Sequence, residues 1–162
     1  MGEICLKHQA IFLLLFYIKG RSNEMIDDIF GTPVIHPEAF ISSKATIVGD
    51  VTIEKNVIVA PSASIRADEG APFFIGKGTN IQDHVNLHGL LNRYVQVDNK
   101  QYSIYIGTHC SIAHGALIHG PTKIGKKTFI GFKVTVHNSI VGRNCFIKTG
   151  ADVENSNCNK PV

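Results

Sequence analysis

Ile106-Gly-Thr-His-Cys-Ser-Ile112-Ala-His-Gly-Ala-Leu-Ile118-His-Gly-Pro-Thr-Lys-Ile124-Gly-Lys-Lys-Thr-Phe-Ile130-Gly-Phe-Lys-Val-Thr-Val136 carries an aliphatic residue at every sixth position. A period of six is neither the 3.6 of a helix nor the two of a simple strand. It fits a coil of three short strands and three corners in which each aliphatic side chain points inward.

The same period runs upstream through Ile35, Ile41, Ile47, Ile53, Val59 and Ile65, then Ile75, Ile81 and Leu87. Downstream, after a slip of one residue, it continues at Val141, Ile147 and Val153. Ala39, Ala45, Val51, Val57 and Ala63 mark a second, smaller inward position. Gly follows the aliphatic residue at Gly76, Gly107, Gly125, Gly131 and Gly142, a form that resembles the left-handed type of parallel β-helix. The expectation is an all-β chain, a left-handed parallel β-helix of about six coils, spanning 31–155. Each coil buries its apolar layer only against its neighbours, at a strand spacing of about 4.8 Å.

Two gaps break the period, ten residues from Ile65 to Ile75 and nineteen from Leu87 to Ile106. Treating each as one hexapeptide plus an inserted loop aligns Ile47, Ile65, Leu87, Ile118, Val136 and Val153 in one column. The residues that follow them form another: Val48, Arg66, His88, His119, His137, Glu154. His88 and His119 thereby become neighbours on adjacent coils. His114 falls on a different edge of the prism, directly above Asp83 and beside Gln82. From there it can share a metal with His88 and His119 only if they belong to another subunit, as a threefold assembly permits. Three imidazoles suit zinc, iron, cobalt or nickel, and three protein ligands with an open position make a catalytic arrangement. The competing readings are surface histidines or a histidine base for acyl transfer.

The rest of the chain narrows the function by exclusion. Net charge is +3 with scattered Lys and Arg, so nothing marks a nucleic-acid surface. Four cysteines, Cys5, Cys110, Cys145 and Cys158, are too dispersed for a disulfide framework. Cys110 and Cys145 occupy small inward positions and read as core thiols. Residues 1–30 form a peripheral or removable segment. Its apolar run Ala10–Ile18 is too short to span a bilayer as a helix. No A-x-A cleavage pattern follows that run, so a cytoplasmic location is expected, with an export signal or a start at Met25 as alternatives. Residues 156–162 read as a polar tail.

The segments Ile65-Arg-Ala-Asp-Glu-Gly70, Asn80-Ile-Gln-Asp83, Leu87-His88-Gly89, Ser111-Ile-Ala-His114-Gly-Ala-Leu-Ile-His119-Gly-Pro121 and Ile130-Gly-Phe132 together resemble the gamma-class carbonic anhydrases. The resemblance extends to the amino-terminal domain of the carboxysomal scaffold protein and to the archaeal enzyme, over about Ile35 to Val153. It implies a homotrimer that hydrates CO2 to bicarbonate at metal sites between subunits, with Zn2+, or iron or cobalt, as the cofactor. His88 and His119 would ligate from one subunit and His114 from the next. Gln82 would hydrogen-bond hydroxide or bicarbonate on the metal, and Glu69 would accept its proton. Arg66, Asp68 and Asp83 would make charged contacts at the seam, chiefly as interface salt bridges, and Asn80 would help position the site. The archaeal enzyme carries a proton-shuttling glutamate in a long acidic loop after the first histidine. This chain has Leu91 there, in the shorter, non-acidic loop Leu90–Ser103, with His137 as a surrogate shuttle or a plain surface histidine. Relatives also continue into a long carboxy-terminal helix, for which Asn155–Val162 has no pattern. The alternatives are a non-catalytic metal-binding or scaffold β-helix and, behind it, a hexapeptide acyltransferase.

Overall fold

The computed structural model describes residues 30–69 and 71–158. The expectations for residues 1–29, and for the tail from 159 onward, lie outside the described residues.

Nineteen strands of two to four residues wind into three parallel sheets, forming a prism. The first coil is β1 (Val34–Ile35), β2 (Phe40–Ile41) and β3 (Thr46–Gly49); the second is β4 (Val51–Ile53), β5 (Ile58–Val59) and β6 (Ser64–Ala67). The third is β7 (Phe73–Ile75), β8 (Asn80–Ile81) and β9 (Asn86–His88). After the hairpin β10 (Val95–Val97) and β11 (Lys100–Tyr102), the fourth coil is β12 (Ile104–Ile106), β13 (Ser111–Ile112) and β14 (Leu117–His119). The fifth is β15 (Thr122–Ile124), β16 (Phe129–Ile130) and β17 (Thr135–His137). The sixth is β18 (Ile140–Val141), β19 (Phe146–Ile147) and β20 (Asp152–Glu154), and β21 (Asn157–Cys158) opens a seventh. The parallel sheet therefore continues two strand residues past the 155 boundary read from the repeat, with Val141 paired to Cys158.

The hexapeptide aliphatics stack as the repeat requires. Ile53, Ile75, Ile106, Ile124 and Val141 share one register column, and Val59, Ile81, Ile112 and Ile130 share another. All nine are buried. The third column runs Ile47, Ile65, Leu87, Ile118, Val136, Val153. Cys110 and Cys145 lie in the core at smaller inward positions, as expected, and both are free thiols. Thr79, Thr122, Thr128 and Ser139 occupy the same kind of position. Each donates its hydroxyl to a backbone carbonyl, such as Thr79 to Gly107 at 2.9 Å and Thr128 to Gly142 at 2.8 Å. Buried hydroxyls need such partners to avoid a desolvation penalty.

The corners explain two of the eight histidines. His84 (φ 58°) and His109 (φ 56°) sit in left-handed turns, beside Asn56, Asn92 and Asn144 in equivalent conformations. They shape corners.

Both insertions leave the prism after a third-sheet strand, so they crowd the corner next to His88. The longer one folds. Val95 to Val97 pairs antiparallel with Lys100 to Tyr102, and Asp98 (φ 47°) and Asn99 (φ 63°) form the two-residue turn. Positive φ at both central residues is the type I′ geometry that suits strand twist. Tyr102 packs this hairpin onto Phe74 and Tyr105 of the outer prism face, at ring separations of 5.9 and 5.5 Å.

Candidate metal centre

The outward row of the third sheet reads Val48, Arg66, His88, His119, His137, Glu154, with each residue paired to the next across adjacent strands. The ladder places His88 and His119 side by side although 31 positions separate them in sequence.

Their rings are set by what holds the other nitrogen. His119 Nδ1 lies 3.0 Å from the Gly120 carbonyl oxygen. Donating there leaves Nε2 with its lone pair free. His88 Nδ1 faces that lone pair at 3.4 Å, with the two rings edge to face. On its other side, His88 Nε2 faces Asp68 Oδ1 at 3.4 Å and Glu69 Oε1 at 3.9 Å. Burial pushes the His119 pKa down, outweighing the Gly120 hydrogen bond that raises it, and the neighbouring His88 and His137 add to the lowering. His119 is therefore a neutral imidazole near neutral pH. Gly120 is glycine for a steric reason: a Cβ there would collide with the buried Ser103 hydroxyl.

Asp68 is a fixed anion. Burial pushes its carboxyl up, but His88 and Arg66 outweigh that and hold it at about 2. Arg66 donates to Asp68 Oδ2 through Nη2 at 2.6 Å and Nε at 3.0 Å. Asp68 Oδ1 is buried without a well-formed hydrogen bond, although His88 Nε2 faces it. Glu69 Oε2 accepts a hydrogen bond from the Leu91 backbone amide at 2.9 Å.

The second sheet carries the other group. His114 Nδ1 lies 2.6 Å from Asp83 Oδ1, one coil below, and its ring stacks on Phe132, one coil above, at 5.4 Å and 6°. Slight desolvation raises the Asp83 carboxyl, and its own backbone amide and His114 outweigh it to leave a net lowering. With Nδ1 committed to Asp83, His114 Nε2 is the free nitrogen, on a side chain that is half exposed. Gln82 precedes Asp83 and keeps a buried Oε1 with no hydrogen-bond partner among the described residues. Asn80 sits on the outer face of β8, between Ile58 and Ser111.

The structure thus assembles Arg66, Asp68, Glu69, His88 and His119 at one corner and groups Gln82, Asp83 and His114 at another. Within one chain, Arg66 pairs with Asp68, and Asp83 with His114. Among the described residues, no three His, Cys, Asp or Glu side chains of one chain converge on a common metal position. Three features of the site have no counterpart in the sequence reading: the Gly120 carbonyl behind His119, the Leu91 amide on Glu69, and the stacking of Phe132 on His114. The third follows from the repeat once the rows are aligned; the first turns on the direction of a backbone carbonyl, which the period does not encode. The second depends on the path of an inserted loop, which no period predicts.

An open cavity of about 310 Å³ lies beside His119, lined also by Leu117, Thr135, His137 and Glu154.

The prism and its paired rows define a β-helix protein of the hexapeptide class. A solved hexapeptide transferase family protein from Anaplasma phagocytophilum is 25% identical, with a TM-score of 0.52 over 78% of this chain and 76% of that one. Carboxysome assembly protein CcmM of Nostoc sp. is 52% identical over 124 residues, which cover 74% of this chain and 22% of that protein. The carbonic anhydrase of Methanosarcina thermophila is 45% identical over 126 residues, 72% of this chain and 51% of that protein. No family model matches the chain. These relationships fit the resemblance to the gamma-class carbonic anhydrases carried by the sequence motifs. The chain spans about half the length of the Methanosarcina protein and about a fifth of CcmM.

Proposed function

We propose that the chain is a carbonic anhydrase that hydrates CO2 reversibly at a transition metal, zinc or alternatively iron or cobalt, held between subunits of a homotrimer. His88 and His119 of one subunit and His114 of the next would hold the metal.

The supporting observation is the 3.4 Å separation of His88 Nδ1 and His119 Nε2. Zinc–nitrogen bonds of about 2.0–2.1 Å in tetrahedral array put neighbouring ligand nitrogens about 3.3–3.4 Å apart. The pair already matches one edge of that tetrahedron. Each ring is backed by an acceptor: Gly120 for His119, Asp68 for His88 and Asp83 for His114. Such partners orient metal-binding imidazoles and raise their basicity.

When bound, a divalent metal at that seam supplies a nucleophile from water near neutral pH. This chain's residues do the rest. Glu69 is a carboxylate beside His88 that can take a proton from the reacting water. Gln82 shares the His114 edge, so it would enter the site from the second subunit and use its unpartnered Oε1 there. Asp68 keeps a negative charge behind His88, with Arg66 compensating it. The open cavity beside His119, toward His137 and Glu154, would leave a small neutral substrate room on that side of the site.

The test measures metal content, subunit stoichiometry and CO2 hydration for the parent protein and His114→Ala. The parent is expected to hold one metal per subunit and to hydrate CO2. His114→Ala is expected to lose both metal and activity while His88 and His119 remain. Unchanged metal content in that variant would remove the intersubunit site.

A second reading is a non-catalytic metal-binding or assembly module. The 52% identity with CcmM favours it, as does the aliphatic Leu91 in place of an ionisable side chain. Full metal loading with hydration at the uncatalysed rate would select it.

A further inference from the structure

We propose that the main-chain amide of Leu91 is a positioning group for Glu69, and that the side chain of Leu91 is dispensable to this role. The catalytic half of the proposal rests on the hydration reaction above; the structural half stands without it.

The loop after His88 turns sharply. Arg93 N donates to Leu90 O at 3.2 Å, closing a four-residue turn. Asn92, its third residue, has φ 57°, whereas Leu91, its second, is outside the positive-φ region. One negative φ followed by one positive φ defines a type II turn. In that turn the amide of the second residue is not used by the turn's own hydrogen bond. Here it is aimed at Glu69 Oε2, 2.9 Å away.

The turn itself is anchored. Leu90 N donates to Ser103 Oγ at 3.2 Å. Ser103 is fully buried, donates its own amide to Pro72 O at 2.9 Å and accepts from Thr122 N at 2.8 Å. The donor on Glu69 is thereby tied to the coils on both sides of the insertion.

Glu69 has the opposite problem. It lies in the four-residue insertion of the preceding coil, and a glutamate there has several rotamers open to it. A hydrogen bond to one carboxylate oxygen selects among those rotamers. The other oxygen then faces His88 Nε2 at 3.9 Å. A backbone amide can do this whatever side chain stands at 91, so an aliphatic residue is compatible with a working Glu69.

Proline makes the test specific. It fits the second position of a type II turn and removes the N–H. In the full chain, Leu91→Ala is compared with Leu91→Pro, following the Glu69 carboxyl carbon resonance, metal content, kcat and KM. Leu91→Ala is expected to match the parent in all four. Leu91→Pro is expected to shift the Glu69 resonance and to lower kcat about tenfold at unchanged KM and metal content, the scale of a misplaced reacting group. Identical Glu69 resonances and identical kcat in the two variants would overturn the proposal. If the parent does not hydrate CO2, the functional reading falls, and the resonance still reports whether the amide places Glu69. If Leu91→Pro does not fold, the Leu91 amide proton in the parent decides: it should move upfield in Glu69→Ala, and an unmoved resonance would overturn the proposal.

Discussion

Asp68 ties Arg66 down with one oxygen and faces His88 with the other, and it does so as an anion whose pKa is held at about 2. Its folded pKa lies below its unfolded value near 3.8. The stability it contributes is therefore fully present above the unfolded pKa and is lost as pH falls through the folded one. In metal-free protein, Asp68 is expected to contribute on the order of 2 kcal/mol near neutrality and to surrender it between about pH 4 and pH 2. Urea midpoints measured across that range check this: Asp68→Asn should be less stable at pH 6 and should lose less on acidification than the parent. At this scale the pairing of His88 with His119 was legible in the sequence, because it follows from counting sixes and removing two insertions. The ring orientations were not legible. They depend on the Gly120 carbonyl and the Asp68 carboxylate, whose directions no spacing encodes.

The hairpin β10–β11 is the element the repeat did not foresee. Its clue, the alternation Val95, Val97, Lys100, Tyr102 around Asp98-Asn99, is short and lies inside a gap defined only by what it lacked. The hexapeptide signal came from many copies; the hairpin has one. Its turn needs positive φ twice, and a β-branched residue strongly resists that conformation. Asn99→Val is expected to destabilise the hairpin by about 1–2 kcal/mol. Amide exchange would then speed up across Val95–Tyr102 while the strands of the prism keep their protection. Equal loosening of the coils would mean that the hairpin helps hold the prism together. The left-handed corners at His84 and His109 make a related point. Both residues look like candidate ligands by type alone, and their backbone conformation accounts for them.

For the whole molecule, stacking sets where substitutions hurt. Ile112 is fully buried between Ile81 and Ile130, whereas Ile35 in the first coil is 40% exposed. Ile112→Ala is expected to cost about 2–5 kcal/mol, as for other large cavities in a packed core. Ile35→Ala should cost well under half of that, because its layer has a neighbour on one side among the described strands. Thermal or denaturant unfolding of the two variants at equal protein concentration tests the difference. If they matched, stability would not be a sum over neighbouring coils.

The looped-out hairpin makes the prism a ruler graduated in units of one coil. Thirteen inserted residues leave His88 and His119 on adjacent marks, since the insertion departs and returns at the same corner. Lengthening or shortening that loop changes what overhangs the pair but not the spacing of the pair. Inserting one whole coil between β9 and β14 would do the reverse. It would preserve every inward contact type and carry the two histidines to about 9.6 Å apart, twice the strand spacing. In this architecture, distance between functional groups comes in whole steps, and loop length is free to vary independently of it.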